Sequence, residues 1–426
     1  MIDTYVNLIF RLEGKKMRIR SIVISAVMLF APALSATAGA KPREPFDEFA
    51  ESAAAEWVRG NPQQATATQY FSGAEQDALD RKLIAFHGYL PIEPAARQAR
   101  VALAKRILIQ LAGYDRTKLT PIQRISAGVI ESSLRNVIEA APLDDHSFVF
   151  EQFYGLHTTL VNFLSQTHPI SNRRDVENYL VRLRQVAPLI DLGIAETRAQ
   201  ARKGILLPRF ILTAVLGQLD RFLEPEPGKN VLVTSLAERM AKVKELSPAD
   251  CAAFVTEAEQ VVRQGVLPAY ARVRELVAGQ VPLATDEAGL WRLPRGEAAY
   301  AVALRSTTTT NLTADEIHAI GLSEVKRIEA QMDQLLRELG YTEGTLQARY
   351  DRLNGSVIPP AQPDPRPGLI AEYTGILRDA ERRATSLFDL QPKAPVEVRR
   401  EPPFTERNAS AHYTQPAPDG TRPGIF

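Results

Sequence analysis

The chain reads as a mainly α-helical protein with a small sheet beginning near its end. Three observations carry that expectation. From Phe46 to about Gly279, apolar residues recur at three- and four-residue spacing, with Pro and Gly marking the breaks. A segment beginning at Thr313 carries complete start and stop signals for a long helix. Pro395 to Arg400 then alternates like a strand and leads toward an Asp419-Gly420 turn.

In chain order, Asp175 opens a segment with Val176, Leu180, Leu183, Val186 and Ile190 in one stripe, the pattern of a buried helix face. Pro208 starts another, with Phe210, Ile211, Ala214, Val215 and Leu219 expected to face the core. Ser247 is a good N-cap, followed by Pro248 at the first helical position and Asp250 near the positive end of the dipole. Thr313 with Glu316 makes a capping box, and Leu312 and Ile317 are placed as a hydrophobic staple. The helix this begins, 313 to 339, carries Ile317, Gly321, Val325, Ile328, Met332, Leu335 and Leu339 as its expected core stripe. Gly340 and Tyr341 supply the stop. Prolines 359, 360, 363, 365 and 367 crowd a loop ahead of a helix near 368 to 388. After the 395–400 strand, the stretch from Asn408 to Phe426 reads as a β-hairpin whose return strand has barely begun. A strand ending on Ile425-Phe426 calls for a partner, so the sequence reads as truncated there.

The 426 residues are 45% hydrophobic and 24% charged, ordinary for a globular protein and unlike a disordered or fibrous one. Met17-Arg18-Ile19-Arg20, the apolar run Ser21 to Phe30 and the small-residue sites after Ala38 and Ala40 read as a secretory signal peptide over 17–40. The apolar run is shorter than the ~20 residues of a membrane span and is followed by Pro32. Residues 1–16 fit no targeting pattern and read as an extension upstream of a start at Met17. Without residues 1–40 the chain carries 46 basic and 48 acidic residues, a balance that argues against a nucleic-acid partner. Cys251 is the one cysteine, so no internal disulfide forms; it reads as a small buried filler. These features together place the protein in the periplasm or outside the cell, with no stable membrane span once the leader is cleaved.

Chemistry is harder to find. A helical zinc hydrolase needs two histidines converging from one helix face and a glutamate to activate metal-bound water. None of His87, His146, His157, His168, His318 and His412 is followed by Glu. His146, His157 and His168 recur every eleven residues, but Gly155 and Pro169 break the helix that would align them, and they read as ordinary hydrogen-bonded side chains. The run Thr307 to Asn311, just ahead of a helix N-terminus and near His318, is either a solvated loop with hydroxyls on local backbone groups or the lining of an anion site. No nucleotide-binding or nucleophile-elbow motif occurs.

Longer strings are more specific. Leu293-Pro294-Arg295-Gly296-Glu297-Ala298-Ala299-Tyr300, the threonine run and Ile317 to Ile328 strongly resemble the bacterial family called domain of unknown function 885. Leu156-His157-Thr158, Asp175 to Arg184, Gly204 to Pro208, Val266 to Tyr270, Tyr413 and Asp419 to Phe426 are similar to further landmarks of that family, in order along nearly the whole chain after the leader. The resemblance implies a large helical, zinc-metallopeptidase-like fold, here with a small, incomplete sheet or hairpin at its C-terminal end. It also implies a helical N-terminal region over 41–280 and the start of a catalytic-type region over 281–426. The family's metal motif, His-Glu-x-x-Pro-Gly-His-His, follows the Arg-Pro-Gly segment, and no residue after Phe426 is present to carry it. The expectation is therefore no catalytic residue, no metal ligand and no cofactor in this chain, with zinc expected in a full-length parent acting on peptides or modified amino acids. Tyr413, Asp419 and Arg422 are the candidate substrate-positioning residues, or else a turn with a surface arginine. The rival expectation is a non-catalytic helical binding or scaffold protein of the cell envelope.

Overall fold

The computed structural model describes residues 44–87, 90–357, 366–388, 391–392, 394–401, 411–416 and 423–426. The expected leader, the proline-rich loop after 357 and the Asp419-Gly420 turn lie outside the described residues. The fold is mainly α, as expected. Helices α1 (Phe46–Arg59), α2 (Pro62–Thr68) and α3 (Gly73–Asp80) lead to a two-stranded antiparallel pair, β1 (Phe86–His87) and β2 (Leu90–Pro91). Then come α4 (Pro94–Leu111), α5 (Pro121–Ala140) and the 3-10 turn Ala141–His146. Short α6 (Leu156–Asn162) ends in a π turn, and α7 (Arg173–Arg202), α8 (Arg209–Leu223), α9 (Val231–Met240), α10 (Pro248–Val261) and α11 (Leu267–Gln280) follow. The chain continues as α12 (Gly296–Thr308), α13 (Ala314–Glu338), α14 (Leu346–Val357) and α15 (Arg366–Ala384), and closes with β3 (Val396–Glu397) and β4 (Gly424–Ile425).

The predicted starts are where the sequence put them. Ser247 and Asp250 form a reciprocal capping box, as do Thr313 and Glu316, so orphan N–H groups at each helix start are satisfied by side chains. Gly340 takes the left-handed conformation at φ +87°, and Tyr341 N–H reaches back to the Leu336 carbonyl at 2.8 Å, closing α13 as a Schellman-type stop. Pro268 cannot donate to the helical ladder, and a π turn over Val262–Val266 joins α10 to α11 just before it.

The main core runs from Leu83 to Ala284, with α8 and α7 packed on α11. All five predicted stripe residues of α7, Val176, Leu180, Leu183, Val186 and Ile190, are buried in it. Cys251 packs against this core from a half-buried position. On α8 the buried face is rotated from the expected one. Leu212, Val215, Leu219 and Phe222 go inside, while Phe210 is exposed and Ile211 and Ala214 are half-buried. A second core joins α1, α4 and α5 through Phe49, Ile107, Leu111 and Ile130.

The larger correction concerns α13. The helix forms as predicted, but its apolar stripe is not core: Val325 is 53% exposed, Ile328 45% and Leu335 57%, and Leu339 also faces solvent. Its contact with the protein comes at the far end, where Leu336 is buried and α14 packs across it through Arg349, which pairs with Asp333. The staple is weak for the same reason, since Leu312 is exposed and Ile317 only half-buried.

The terminal strand also differs from expectation. Thr414 and Ile425 form the antiparallel bridge that a hairpin requires, exchanging bonds of 2.7 and 2.9 Å. On its other side β4 pairs in parallel with β3, with Gly424 N–H on the Pro395 carbonyl at 2.9 Å and Phe426 N–H on the Glu397 carbonyl at 2.8 Å. The return strand is thus flanked on both sides rather than left without a partner.

Candidate functional site

Of the three residues singled out near the end of the chain, Tyr413 is placed, and Asp419 and Arg422 lie outside the described residues. The Tyr413 ring lies against β4 at Gly424. A Cβ built on that glycine would stand 2.6 Å from the Tyr413 hydroxyl and about 3 Å from two ring carbons, so the strand needs glycine there for the ring to lie down. The tyrosine is 51% exposed, and the Phe426 ring stacks at 6.1 Å on Tyr373 of α15. Together they make a small aromatic surface over the terminal strands.

Three of the histidines, His146, His157 and His168, are committed to the framework. His157 is buried, with Nε2 3.0 Å from the Gln218 amide oxygen and no partner for Nδ1, and burial holds its imidazole down to about 4. His168 is buried beneath Tyr179 and accepts from Arg182 at Nδ1 (2.8 Å), while Nε2 bonds the Asp175 carbonyl (2.9 Å). Burial and then the Arg182 guanidinium push it well below the ordinary histidine value, so it is neutral. Arg182, fully buried, also donates to the carbonyls of Lys82 (3.0 Å) and Leu79 (3.0 Å) and to Thr66 Oγ1 (2.7 Å), which in turn bonds Asp80 (2.6 Å). His146 faces carbonyl oxygens with both ring nitrogens, Leu143 at 3.2 Å and Pro294 at 2.7 Å. His318 is exposed. In the threonine run, Thr308 and Thr310 hydroxyls bond the Leu304 carbonyl and the N–H groups of Thr310 and Leu312, the pattern of a locally satisfied loop. Among the described residues no three His, Cys, Asp or Glu side chains converge as metal ligands.

A cleft that sequence reasoning missed lies between α4 and the 3-10 turn after α5. It has a volume of about 460 Å³. Pro94, Arg97, Val101 and Lys105 line it from one face of α4, at the three- and four-residue spacing that puts side chains side by side. Ala141, Pro142 and Asp144 form the opposite wall. Arg97 is held by Glu196 of α7 at 2.9 Å, a pair with both side chains largely buried, and Asp145 is held by Lys203 at 2.7 Å. Asp144 has no hydrogen-bonding side chain among the described residues. Burial raises it to about 6, opposed by Arg97 and assisted by the charges of Asp145 and Glu196. Such a group in a cleft marks a site candidate. No local pattern announces it, because its charges come from α4, the 3-10 turn and α7, far apart in sequence.

With this geometry in hand, the chain belongs to the family described as bacterial protein of unknown function (DUF885), whose sequence model matches residues 88–426. Two solved structures share the fold. One, from Colwellia psychrerythraea and provisionally assigned as a lipoprotein, superposes with a TM-score of 0.74 at 22% identity, over 89% of this chain and 66% of that one. The other, from Shewanella oneidensis, with the same provisional assignment and of unknown function, gives a TM-score of 0.53 at 16% identity, over 90% of this chain and 64% of that one. The chain therefore spans a little under two thirds of the length of these relatives. No curated protein matches.

Proposed function

We propose that these residues form the helical body of an extracytoplasmic hydrolase of the metallopeptidase kind, acting on peptides or modified amino acids, whose metal-binding and general-base groups come from polypeptide outside the 426 residues. The observation that carries the reading is the uncovered stripe of α13. Val325, Ile328, Leu335 and Leu339 are exposed on one face in a chain spanning a little under two thirds of its solved relatives. Burying each such side chain stabilises a fold by about 1.5–3 kcal/mol, so a stripe of this kind ordinarily packs against another layer of protein. The hydrolytic chemistry rests on the resemblance of the strings around Leu293, Ile317 and Tyr413. The extracytoplasmic address rests on the leader-like residues 17–40 and on the lipoprotein assignments of the two relatives. No described helix is long and apolar enough to cross a membrane.

The described residues do not fit a zinc ion. His146, His157 and His168 spend ring nitrogens on carbonyls, an amide and a guanidinium, and among the described residues no three His, Cys, Asp or Glu side chains converge as metal ligands. What this chain contributes under this reading is the approach to the site: Tyr413 beside the terminal strands, with Asp419 and Arg422 between it and Gly424 in the sequence, positions an extended peptide.

The test is metal content, peptide turnover and peptide binding by the purified chain, using a hexapeptide blocked at both ends. The expected result is binding without zinc or turnover, weakened about tenfold by Tyr413→Ala, the scale of losing one aromatic contact. Stoichiometric zinc with turnover, or no binding of the blocked peptide, overturns the reading.

A further inference from the structure

We propose that the cleft between α4 and the 3-10 turn Ala141–His146 is a binding site for a short zwitterionic peptide, a di- or tripeptide with both termini free. The site is independent of the terminal strands and of any hydrolytic chemistry.

The argument is one of charge left over. The acids and bases around the cleft are paired in turn, Glu196 with Arg97 and Asp145 with Lys203. Two groups on the lining have no ion pair among the described residues: the carboxyl of Asp144, half-buried on one wall, and the ammonium of Lys105, exposed on the other. A partly buried carboxylate without a donor is unfavourable, and a ligand ammonium supplies three donors to it.

The spacing along α4 sets the scale of the ligand. Asp144 stands by Arg97, whose charge acts on it, and Lys105 lies a little over two helical turns further along α4, roughly 12 Å. A peptide backbone advances about 3.3 Å per residue. A di- or tripeptide with its ammonium on Asp144 therefore brings its carboxylate within reach of the flexible Lys105 side chain. Between the charged ends the cleft is lined by Val101 and Ala102 on one side and Ala141 and Pro142 on the other, an apolar strip for small side chains. Its volume of about 460 Å³ lies within the range of small-molecule sites, about 300–1,000 Å³.

The test is calorimetric titration of the full chain with the dipeptide Leu-Ala, its N-acetylated form and its C-terminal amide. The expected result is saturable one-to-one binding of Leu-Ala, weakened about tenfold or more by N-acetylation and by Asp144→Asn, and about threefold by amidation and by Lys105→Gln. The N-acetylated peptide on the unaltered chain carries the test even if a variant folds poorly. Absence of saturable binding up to about 10 mM overturns the proposal, as does equal binding of Leu-Ala and its N-acetyl form, or binding indifferent to Asp144→Asn. Because the blocked hexapeptide has no free ammonium, its binding is expected to ignore Asp144→Asn, so this proposal and the strand-surface reading fail separately.

Discussion

Replacing Asp144 by Asn is expected to stabilise the protein at neutral pH and to do nothing in acid. The carboxyl is raised from an ordinary 3.8 to about 6, which means that the folded state holds its proton more tightly than the unfolded state. With a raised folded value, whatever favours the protonated form is fully present below pH 3.8 and is lost as pH rises through about 6. At neutral pH the native protein therefore carries the cost of a desolvated carboxylate, which Asn removes. A rise of that size corresponds to about 3 kcal/mol, but solvent reaches part of this side chain and screens it, so about 1 kcal/mol is the working figure. The assay is urea unfolding of both proteins between pH 4 and 8, read as the difference between the two curves so that every other titrating group cancels. Asn is expected to match the wild type near pH 4 and to gain about 1 kcal/mol by pH 7.5, with most of the change between pH 4 and 6. A difference that is flat with pH, or a variant less stable at pH 7.5, would refute the account of a burial-dominated acid in the cleft.

Arg182→Leu leaves the carbonyls of Leu79 and Lys82 and the His168 Nδ1 without their buried donor, and is expected to cost about 3–5 kcal/mol in denaturant midpoint at unchanged slope; a loss under about 1 kcal/mol would contradict the network. Val325→Ser with Ile328→Ser, on the open face of α13, is expected to change this chain's stability by less than about 1 kcal/mol. Leu183→Ala in the main core is expected to cost about 2–5 kcal/mol, and a comparable loss from the α13 pair would show that its stripe is covered in solution.

What could be read from the sequence follows the range of the forces involved. The α7 stripe and the boxes at Ser247 and Thr313 depend on residues within a turn or two of each other, and they stand as read. Where a neighbour decides, the pattern is not enough. The apolar side of α8 is broad, and only contact with α11 selects Leu212 and Phe222 over Phe210. The α13 pattern correctly marks an apolar face, but periodicity says nothing of whether a layer lies against it. The same limit applies to the terminal strand. The hairpin partner Thr414 is near in sequence and was legible, whereas the parallel partner β3, Val396–Glu397, lies farther back along the chain and was not.

The contacts that hold the cleft's far wall also bear on its affinity. The turn Ala141–His146 is anchored on one side by Lys203 on Asp145. On the other it is held by the segment entering α12, where His146 Nε2 meets the Pro294 carbonyl at 2.7 Å and Arg295 donates to the Pro142 carbonyl at 3.0 Å. Arg305 of α12 pairs with Glu139 just before the turn. A wall held from two directions loses little freedom when a ligand arrives, and less of the ligand's interaction energy is spent on ordering the protein. The same contacts make α12 part of the site's support although none of its side chains lines the cleft. Weakening the Arg295 contact should therefore loosen the cleft from a distance, by freeing Pro142 and the Asp144 backbone behind it, while leaving the Arg97–Glu196 pair on the opposite wall in place.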